Sequence, residues 1–240
     1  MSYQRFIKLC REENTLKAII LLALIVLVVI LSLSKGSVEL SSEEIIKAFL
    51  RQGNITNQII FWELRLPRLI ASLLVGSALG MSGALLQGML RNGLASPYLL
   101  GISAGSGLVI VLLISMGLWL SWIPIAAWIG AIITTLIVYL LAKSGTSISV
   151  ERLILAGVAL SSLFGSIQSM LLLQTEDGRV QAALTWLIGS LNSRGWTEIK
   201  LAGPPIIFAL VVGLLLSRQL NLLGLGDELS VGLGNSLFRS

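Results

Sequence analysis

The sequence predicts an all-α, polytopic transmembrane helix bundle, because its composition, its long apolar runs and its glycine-rich helices agree. Of its 240 residues, 55% are hydrophobic and only 12% are charged, whereas about a quarter of residues are charged in a soluble domain. The mean hydropathy is +0.91. A membrane-spanning helix needs roughly 20 mostly apolar residues, so the chain has room for about six spans. A large soluble domain does not fit.

Six apolar runs have the character of membrane spans. In chain order they are Ala18–Leu33, Leu66–Leu90, Tyr98–Met116, Pro124–Ala142, Leu153–Leu173 and Leu201–Leu216. Pro204 and Pro205 lie near the start of the last run, where proline costs little because first-turn N–H groups have no helical acceptor. Arg91–Pro97 contains chain-breaking residues and predicts a turn between the second and third spans.

The second run and the start of the third are unusual because small and polar residues interrupt an otherwise apolar stretch from 65 to 107. Small residues let helix backbones approach closely where lipid supplies no hydrophobic drive between helices. They occur at Ala71, Gly76, Ala78, Gly80, Ser82, Gly83 and Ala84. Polar Gln87, Arg91 and Asn92 follow, and such groups are costly against lipid tails but acceptable beside a water-filled path. The combination indicates transport rather than anchoring.

Basic residues before the first run predict the orientation. Arg5, Lys8, Arg11 and Lys17 precede it, and the positive-inside rule places such a segment in the cytoplasm. Residues 1–17 are therefore predicted to be cytoplasmic, with a multi-pass region following. A cleaved signal peptide is the alternative, since Ser32-Leu33-Ser34 resembles a small-x-small cleavage site. The length of the run and the later spans favour a retained helix.

Two segments outside the spans have helical signals. Residues 35–64 are weakly amphipathic, and Ser41-Ser42-Glu43-Glu44 is typical of a capping-box helix start. Gln174–Lys200 is a polar excursion on the same predicted outer side. Within it, Val180–Leu191 is expected to form a short amphipathic helix on the membrane surface.

The sequence offers no catalytic, metal or cofactor site. The chain has no histidine and one cysteine, Cys10, so the usual zinc, haem and iron–sulfur ligand sets are missing. Gly105-Ser106-Gly107 lacks the following Lys-Ser/Thr of a phosphate-binding loop. Glu151, Glu176 and Asp177 have no partner at catalytic spacing. The net charge of +5 is scattered rather than clustered, which argues against nucleic acid as a partner. We therefore predict a protein that is not an enzyme.

Several motifs resemble, in order and spacing, the FecCD-type permease family, the membrane subunits of ABC importers for iron siderophores, haem and vitamin B12. They are Arg65-Leu66-Pro67-Arg68, Gly76-Ser77-Ala78-Leu79, Ser82-Gly83-Ala84-Leu85-Leu86-Gln87, Arg91-Asn92-Gly93-Leu94-Ala95-Ser96-Pro97, Leu100-Gly101-Ile102-Ser103-Ala104-Gly105, Leu153-Ile154-Leu155-Ala156-Gly157-Val158, Trp186-Leu187-Ile188-Gly189-Ser190-Leu191, and Leu220-Asn221-Leu222-Leu223-Gly224-Leu225-Gly226-Asp227-Glu228. The resemblance covers nearly the whole chain. It implies the fold of a type II ABC importer permease.

The chain departs from the family pattern at two places. Asn92-Gly93-Leu94-Ala95 stands where the family usually has Asn-Pro-Leu-Ala, and glycine fixes the turn less firmly than proline. By span length, about six or seven of the family's roughly ten helices are present. The expectation is a transmembrane permease region at 18–218 and a cytoplasmic coupling loop at 219–240, after which further helices would follow.

The resemblance implies two contact sites with partner subunits. Arg65 and Arg68, three apart on one helical face at the predicted outer mouth, match arginines that face acidic residues of a substrate-binding protein. The alternative is that they anchor the helix end at lipid headgroups. At the inner face, a short coupling helix is expected to contact the ATPase, and an ordinary capped loop is the alternative. Its matching residues are Gly226, Asp227, Glu228, Leu233 and Gly234.

Five polar residues are candidates to line the translocation path. They are Gln87, Asn92, Ser103, Ser106 and Gln168. Polar side chains within small-residue helices more often bridge helices than bind substrate, so both interpretations stay open.

The function implied is that of a permease subunit of an ATP-driven importer in the inner membrane, with the N-terminus cytoplasmic. The expected cargo is a ferric siderophore, with haem or a corrinoid as the next choice. The implied partners are an ABC ATPase, a periplasmic or lipid-anchored substrate-binding protein, a second permease subunit and the lipid bilayer. The rivals are a gradient-driven secondary carrier or channel, disfavoured because the spans carry almost no acidic residues, and an inactive truncated permease fragment.

Overall fold

The computed structural model describes the backbone of residues 3–118, 120–144, 147–192 and 194–224. Apart from one ladder of two-residue strands, its regular structure is helical. The α-helices are α1 (Tyr3–Ser34), α2 (Ser42–Phe49), α3 (Ile55–Ile59), α4 (Leu66–Leu90), α5 (Ile102–Ser115), α6 (Ile123–Ala142), α7 (Val150–Leu173), α8 (Asp177–Ile188) and α9 (Trp196–Gly224). A π-helical segment at Ile60–Arg65 joins α3 to α4, and 3₁₀ turns lie at Pro97–Leu100 and Leu120–Trp122. Strands β1 (Lys143–Ser144) and β2 (Ser147–Ile148) pair antiparallel between α6 and α7.

Five helical stretches of the described residues are long and apolar enough to cross a membrane. They are Thr15–Ser34, Ile55–Leu90, Ile123–Ala142, Val150–Leu173 and Trp196–Ser217. They correspond to five of the six predicted spans, and the all-helical class predicted from the sequence is confirmed.

The third predicted span, Tyr98–Met116, has a different form in the structure. Its helix α5 has only 14 residues, about 21 Å at 1.5 Å per residue and shorter than a bilayer core. Pro97 starts a 3₁₀ turn instead, and Gly101 then adopts a left-handed conformation with φ of 70°. Because a left-handed residue cannot continue a right-handed helix, α5 begins only after Gly101.

The prediction that the two prolines lie at the start of the last span is wrong. Helix α9 begins at Trp196, so Pro204 and Pro205 lie inside it. The Glu198 carboxylate accepts a hydrogen bond from the Gly195 N–H at 2.8 Å, which satisfies a donor at the helix start. The two prolines remove the N–H groups that would bond the carbonyls of Lys200 and Leu201.

The described chain divides into two compact units. The first unit comprises Met1–Val75 and Leu191–Ile206, and the second comprises Gly76–Ser190 and Ile207–Ser240. In the second unit, the end of α4, the turn after it and helices α5 to α8 contribute to two apolar clusters. One contains Leu90, Ala95, Leu100, Val138, Ala142 and Leu153, and the other contains Ile110, Val111, Ile114, Ile123 and Ala183.

Glycine residues allow the helices of the second unit to pack at short distances from one another. A Cβ atom at Gly105 of α5 would overlap the side chain of Thr134 on α6. A Cβ at Gly157 of α7 would overlap the carbonyl oxygen of Leu99 and lie 2.8 Å from the Leu100 Cα atom. Thr134 itself is buried, and its hydroxyl donates to the Gly130 carbonyl at 2.8 Å. Glycine therefore permits close approach between α5, α6 and α7. For the small residues of the second span the close approach stays a prediction, because a Cβ at Gly76, Gly80 or Gly83 of α4 would meet no atom within 4 Å.

In the first unit, α2 begins as the sequence predicts. Ser41 is the N-cap, its hydroxyl accepts from the Glu44 N–H at 3.3 Å, and the Glu44 carboxylate accepts from the Ser41 N–H at 2.8 Å. The Ser41 hydroxyl also donates to the Glu44 carboxylate at 2.9 Å, and the hydrogen bonds from the Ser41 N–H and hydroxyl to this carboxylate hold the pKa of Glu44 below its usual value. Because the folded pKa is lowered, the cap stabilises α2 above the unfolded pKa and is lost as pH falls through the folded one.

The π-helical segment of the first unit ends two residues before a proline. Leu66 donates its N–H to the Phe61 carbonyl, five residues back. Pro67 has no N–H, so in this register the Trp62 carbonyl lacks a donor within the helix. The Trp196 indole N–H donates to that carbonyl at 2.9 Å. An aromatic side chain of α9 thus satisfies the group that Pro67 leaves unpaired.

Candidate functional site

Arg65, one of the two predicted docking residues, bonds the end of α1. It is the last residue of the π-helical segment and is half-buried. Its Nη1 atom donates to the carbonyls of Leu33 and Ser34, and its Nη2 atom donates to the carbonyl of Val38. The last carbonyls of a helix lack intrahelical donors and carry a partial negative charge. A guanidinium supplies both N–H donors and a positive charge. Arg65 therefore holds the loop after α1 against the start of α4.

Arg68, the second predicted docking residue, is exposed and has a different partner. Its Nη2 atom donates to the side-chain oxygen of Asn192 at 2.7 Å. Nearby in sequence, Arg194 and Glu198 are 3.9 Å apart and both substantially exposed. The two arginines that the sequence groups together thus differ, because the Arg65 guanidinium bonds backbone carbonyls and the Arg68 guanidinium lies at the surface.

Two of the five candidate path residues shape the turn after α4. The Asn92 side chain accepts from the Leu94 N–H at 2.9 Å, and the Gln87 side chain donates to the Ala95 carbonyl at 3.5 Å. An asparagine that bonds the N–H two residues on forms an Asx turn. The contacts of Asn92 and Gln87 therefore stabilise a turn in which glycine replaces the more rigid proline.

The other three candidates lie on α5 and α7. Ser103 is exposed, and the half-buried Ser106 donates its hydroxyl to the Ile102 carbonyl at 3.1 Å within its own helix. Gln168, on α7, donates to the Ala104 carbonyl of α5 at 2.8 Å. A Cβ at Gly107 would lie 3.3 Å from the same amide nitrogen, so glycine makes room for the amide. Of these three residues, Gln168 bridges two helices.

Replacing Gln168 by leucine tests whether it bridges helices or binds cargo. We expect loss of about 1 kcal/mol of stability, because an interhelical hydrogen bond in a membrane contributes about that much. Thermal unfolding in detergent measures the change, with Ser103→Ala as a control that leaves α5 and α7 bonded. If uptake by the assembled transporter falls while stability is unchanged, the bridging role is wrong and cargo contact is favoured.

The predicted ATPase-coupling residues lie outside the described residues. They are Gly226, Asp227, Glu228, Leu233 and Gly234. Among the residues that the structure does describe, no group of three or more His, Cys, Asp or Glu side chains could hold a metal ion.

Two side-chain contacts near the candidate site were not predicted from the sequence. Asn192 is the partner of Arg68, and its only signal is a polar residue directly after a family-like motif. Arg179 donates to the Ser115 carbonyl at the end of α5 at 3.0 Å, as Arg65 does at the end of α1. Nothing in the spacing of 115 and 179 indicates this pairing, because the two residues are distant in sequence.

Five apolar helices of spanning length among the described residues, with glycine-mediated contacts between helices, are the architecture of a multi-pass α-helical membrane protein. The model of the FecCD transport family matches residues 24–240. The chain therefore belongs to the FecCD transport family.

The chain is similar to permeases of several iron-related import systems. It is 35% identical to the Fe(3+)-citrate import system permease protein YfmE of Bacillus subtilis (strain 168), over 95% of this chain and 69% of the relative. It is 36% identical to the ferric enterobactin transport system permease protein FepG of Escherichia coli (strain K12), over 87% and 63%. For the hemin transport system permease protein HmuU of Yersinia pestis the identity is 35%, over 85% and 63%. The chain spans about two thirds of the length of these relatives.

A solved structure has the same fold. It is an inward-facing conformation of a metal-chelate type ABC transporter, with a TM-score of 0.78 and 29% sequence identity over 91% of this chain and 68% of that one. The predicted resemblance to an ABC importer permease is confirmed, with fewer helices than a full-length relative.

Proposed function

We propose that this chain is the membrane permease subunit of an ATP-driven importer that carries a ferric siderophore or a similar metal chelate across the inner membrane. The observation that carries the proposal is the family match across residues 24–240, together with relatives named as permeases for iron citrate, enterobactin and hemin. ATP binding and hydrolysis occur in a separate ABC ATPase. The permease supplies a path with inward-open and outward-open states whose populations the ATPase shifts.

The proposed topology places residues 1–17 in the cytoplasm, the permease region at 18–218 and an ATPase-coupling segment at 219–240. Arg5, Lys8, Arg11 and Lys17 support this orientation through the positive-inside rule. The translocation path lies at the interface between this chain and a second permease subunit. Gly226, Asp227, Glu228, Leu233 and Gly234 form the contact with the ATPase.

The substrate-binding protein docks at the face that carries Arg68. The exposed Arg68 guanidinium, which donates to Asn192, can instead bind a carboxylate of the substrate-binding protein. Complementary charge there accelerates docking and fixes its register. Arg65 takes part by holding the end of α1 and the segment after it in place beside this face.

The transport assembly itself provides the test. The chain is co-produced with the ATPase and binding protein of its own system, and ATP-dependent uptake of a ferric siderophore is measured in proteoliposomes. We expect Asp227→Ala with Glu228→Ala to abolish uptake and retention of the ATPase. We expect Arg68→Glu to weaken binding-protein docking, with Lys200→Glu as a control that makes the same charge change on an exposed residue.

Two outcomes would contradict the proposal. Uptake that continues without ATP and collapses with an uncoupler would identify a gradient-driven carrier. A correctly folded chain that retains the ATPase but transports no chelate would fit an inactive permease fragment.

A further inference from the structure

Helix α2 exposes large apolar side chains although it lies outside the spanning helices. Ile46, Phe49 and Leu50 are 60%, 56% and 56% exposed. They are three and four residues apart, so they share one face of the helix. Glu43 and Lys47, whose side chains pair at 2.6 Å, border the same exposed face on one side. An exposed apolar patch of this kind marks a surface that contacts a partner or a membrane.

Hydrogen bonds within the first unit fix the level of α2 relative to the bilayer. Arg65 bonds the Ser34 carbonyl at 3.2 Å, and Ser34 ends the apolar span of α1. The Trp62 indole N–H donates to the Ala48 carbonyl of α2 at 3.0 Å. Trp62 precedes Arg65 by three residues, roughly 4 Å of helical rise. The headgroup layer is roughly 5–7 Å thick on each side, so α2 lies at the level of that layer.

The side chains around the patch are those of a membrane interface. Phe49 stacks on Trp62 with ring centroids 6.0 Å apart. The Arg51 guanidinium also contacts the Trp62 ring, at 5.1 Å from its centroid. Aromatic side chains concentrate at both interfaces of a bilayer. An arginine that stacks through its planar face keeps N–H groups at its edge, which match phosphate oxygens.

The preceding helix, α1, has a surface that is suited to lipid. Helix α1 exposes apolar side chains around its circumference, for example Leu21, Leu22 and Val28 at 61%, 63% and 60%. Such an all-round apolar helix is suited to a membrane span. Helix α2 begins at Ser42, after a connection of residues 35–41, so the apolar patch follows this span closely in the chain.

We propose that α2 is an in-plane interfacial helix that embeds Ile46, Phe49 and Leu50 at the boundary of headgroups and acyl chains, with Arg51 at the lipid phosphates. Its partner is the phospholipid surface. The helix thereby holds the start of α4 at a fixed depth through Trp62. The proposal requires only membrane insertion, so it stands or falls independently of ATP-driven transport.

Site-directed spin labelling tests the proposal on the full chain. Cys10 is first changed to serine, and single cysteines are introduced as Ile46→Cys, Phe49→Cys and Leu50→Cys, with Lys47→Cys as the control at the charged edge of the patch. The labelled protein is reconstituted into vesicles of phosphatidylethanolamine and phosphatidylglycerol. Collision rates of the nitroxide with oxygen, which enters lipid, and with a water-soluble nickel chelate are then measured.

We expect labels at 46, 49 and 50 to favour oxygen and the label at 47 to favour the nickel chelate. Preference for the chelate at all four positions would overturn the proposal, because the patch would then face water. Low access to both reagents at 46 and 50 would also overturn it, because protein would cover the patch. Spin–spin broadening between labels would then identify a second copy of the chain as that cover.

Discussion

Replacement of Gly157 by alanine is expected to destabilise the second unit by about 3 kcal/mol, the upper part of the usual range for overpacking a core. The added Cβ would overlap the Leu99 carbonyl oxygen and lie 2.8 Å from Leu100 Cα. Both atoms belong to the backbone of the 3₁₀ turn at Pro97–Leu100, so no side-chain rotation can relieve the overlap. Either α7 moves away from the turn or the turn unfolds.

The same helix offers a matched control for this prediction. Gly165 also lies on α7, and a Cβ there meets no atom within 4 Å. Gly165→Ala should therefore leave stability unchanged or raise it slightly, because alanine favours a helix more than glycine does. Thermal unfolding of both variants in detergent, followed by circular dichroism and size-exclusion chromatography, measures the difference. Equal stability of the two variants would show that α7 does not approach the turn as closely as the structure has it.

Replacement of Arg65 by methionine is expected to cost about 2 kcal/mol, because hydrogen bonds to a charged group typically contribute about 1.5–3 kcal/mol. The variant keeps the aliphatic part of the side chain but removes the donors to Leu33, Ser34 and Val38. The loop after α1 then loses its attachment to the start of α4. Hydrogen exchange of residues 33–40 in the full chain should become faster.

The neighbouring arginine is the control for Arg65. Arg68→Met removes the same charge from an exposed residue whose described partner is the Asn192 side chain, so hydrogen exchange of residues 33–40 should not change. In the assembled transporter, Arg68→Met should instead weaken binding of the substrate-binding protein. If Arg65→Met leaves exchange unchanged and only docking weakens, then Arg65 is a docking residue and not a structural one.

The sequence predicts the spans well where apolar length alone decides them, and less well where backbone conformation intervenes. The runs at Pro124–Ala142 and Leu153–Leu173 agree with α6 and α7 within a few residues. The run at Tyr98–Met116 does not, because hydropathy cannot register that Gly101 adopts a left-handed conformation. Pro204 and Pro205 mislead in the other direction, since their position suggests a helix start and α9 continues through them.

The candidate site divides in a similar way. Motif spacing predicts the same role for Arg65 and Arg68. Their partners differ in the folded chain, because Arg65 bonds the end of α1 and Arg68 bonds Asn192. Gln168 is ambiguous in sequence because an amide within a membrane helix can bind cargo or bridge helices. Its bond to the Ala104 carbonyl favours the bridging role, and that bond joins residues 64 positions apart in the chain.

Composition and local spacing are enough to predict the membrane class, the number and order of most apolar helices, the capping box at Ser41 and Glu44, and the family. Each of these depends on composition or on residues close in the chain, where local spacing sets the physics. Three features become visible only in the folded chain. Arg65 bonds the end of α1, Gly157 leaves room for the turn before α5, and α2 packs against the π-helical segment with its apolar face exposed. These depend on contacts between residues far apart in sequence, whose partners no local pattern specifies.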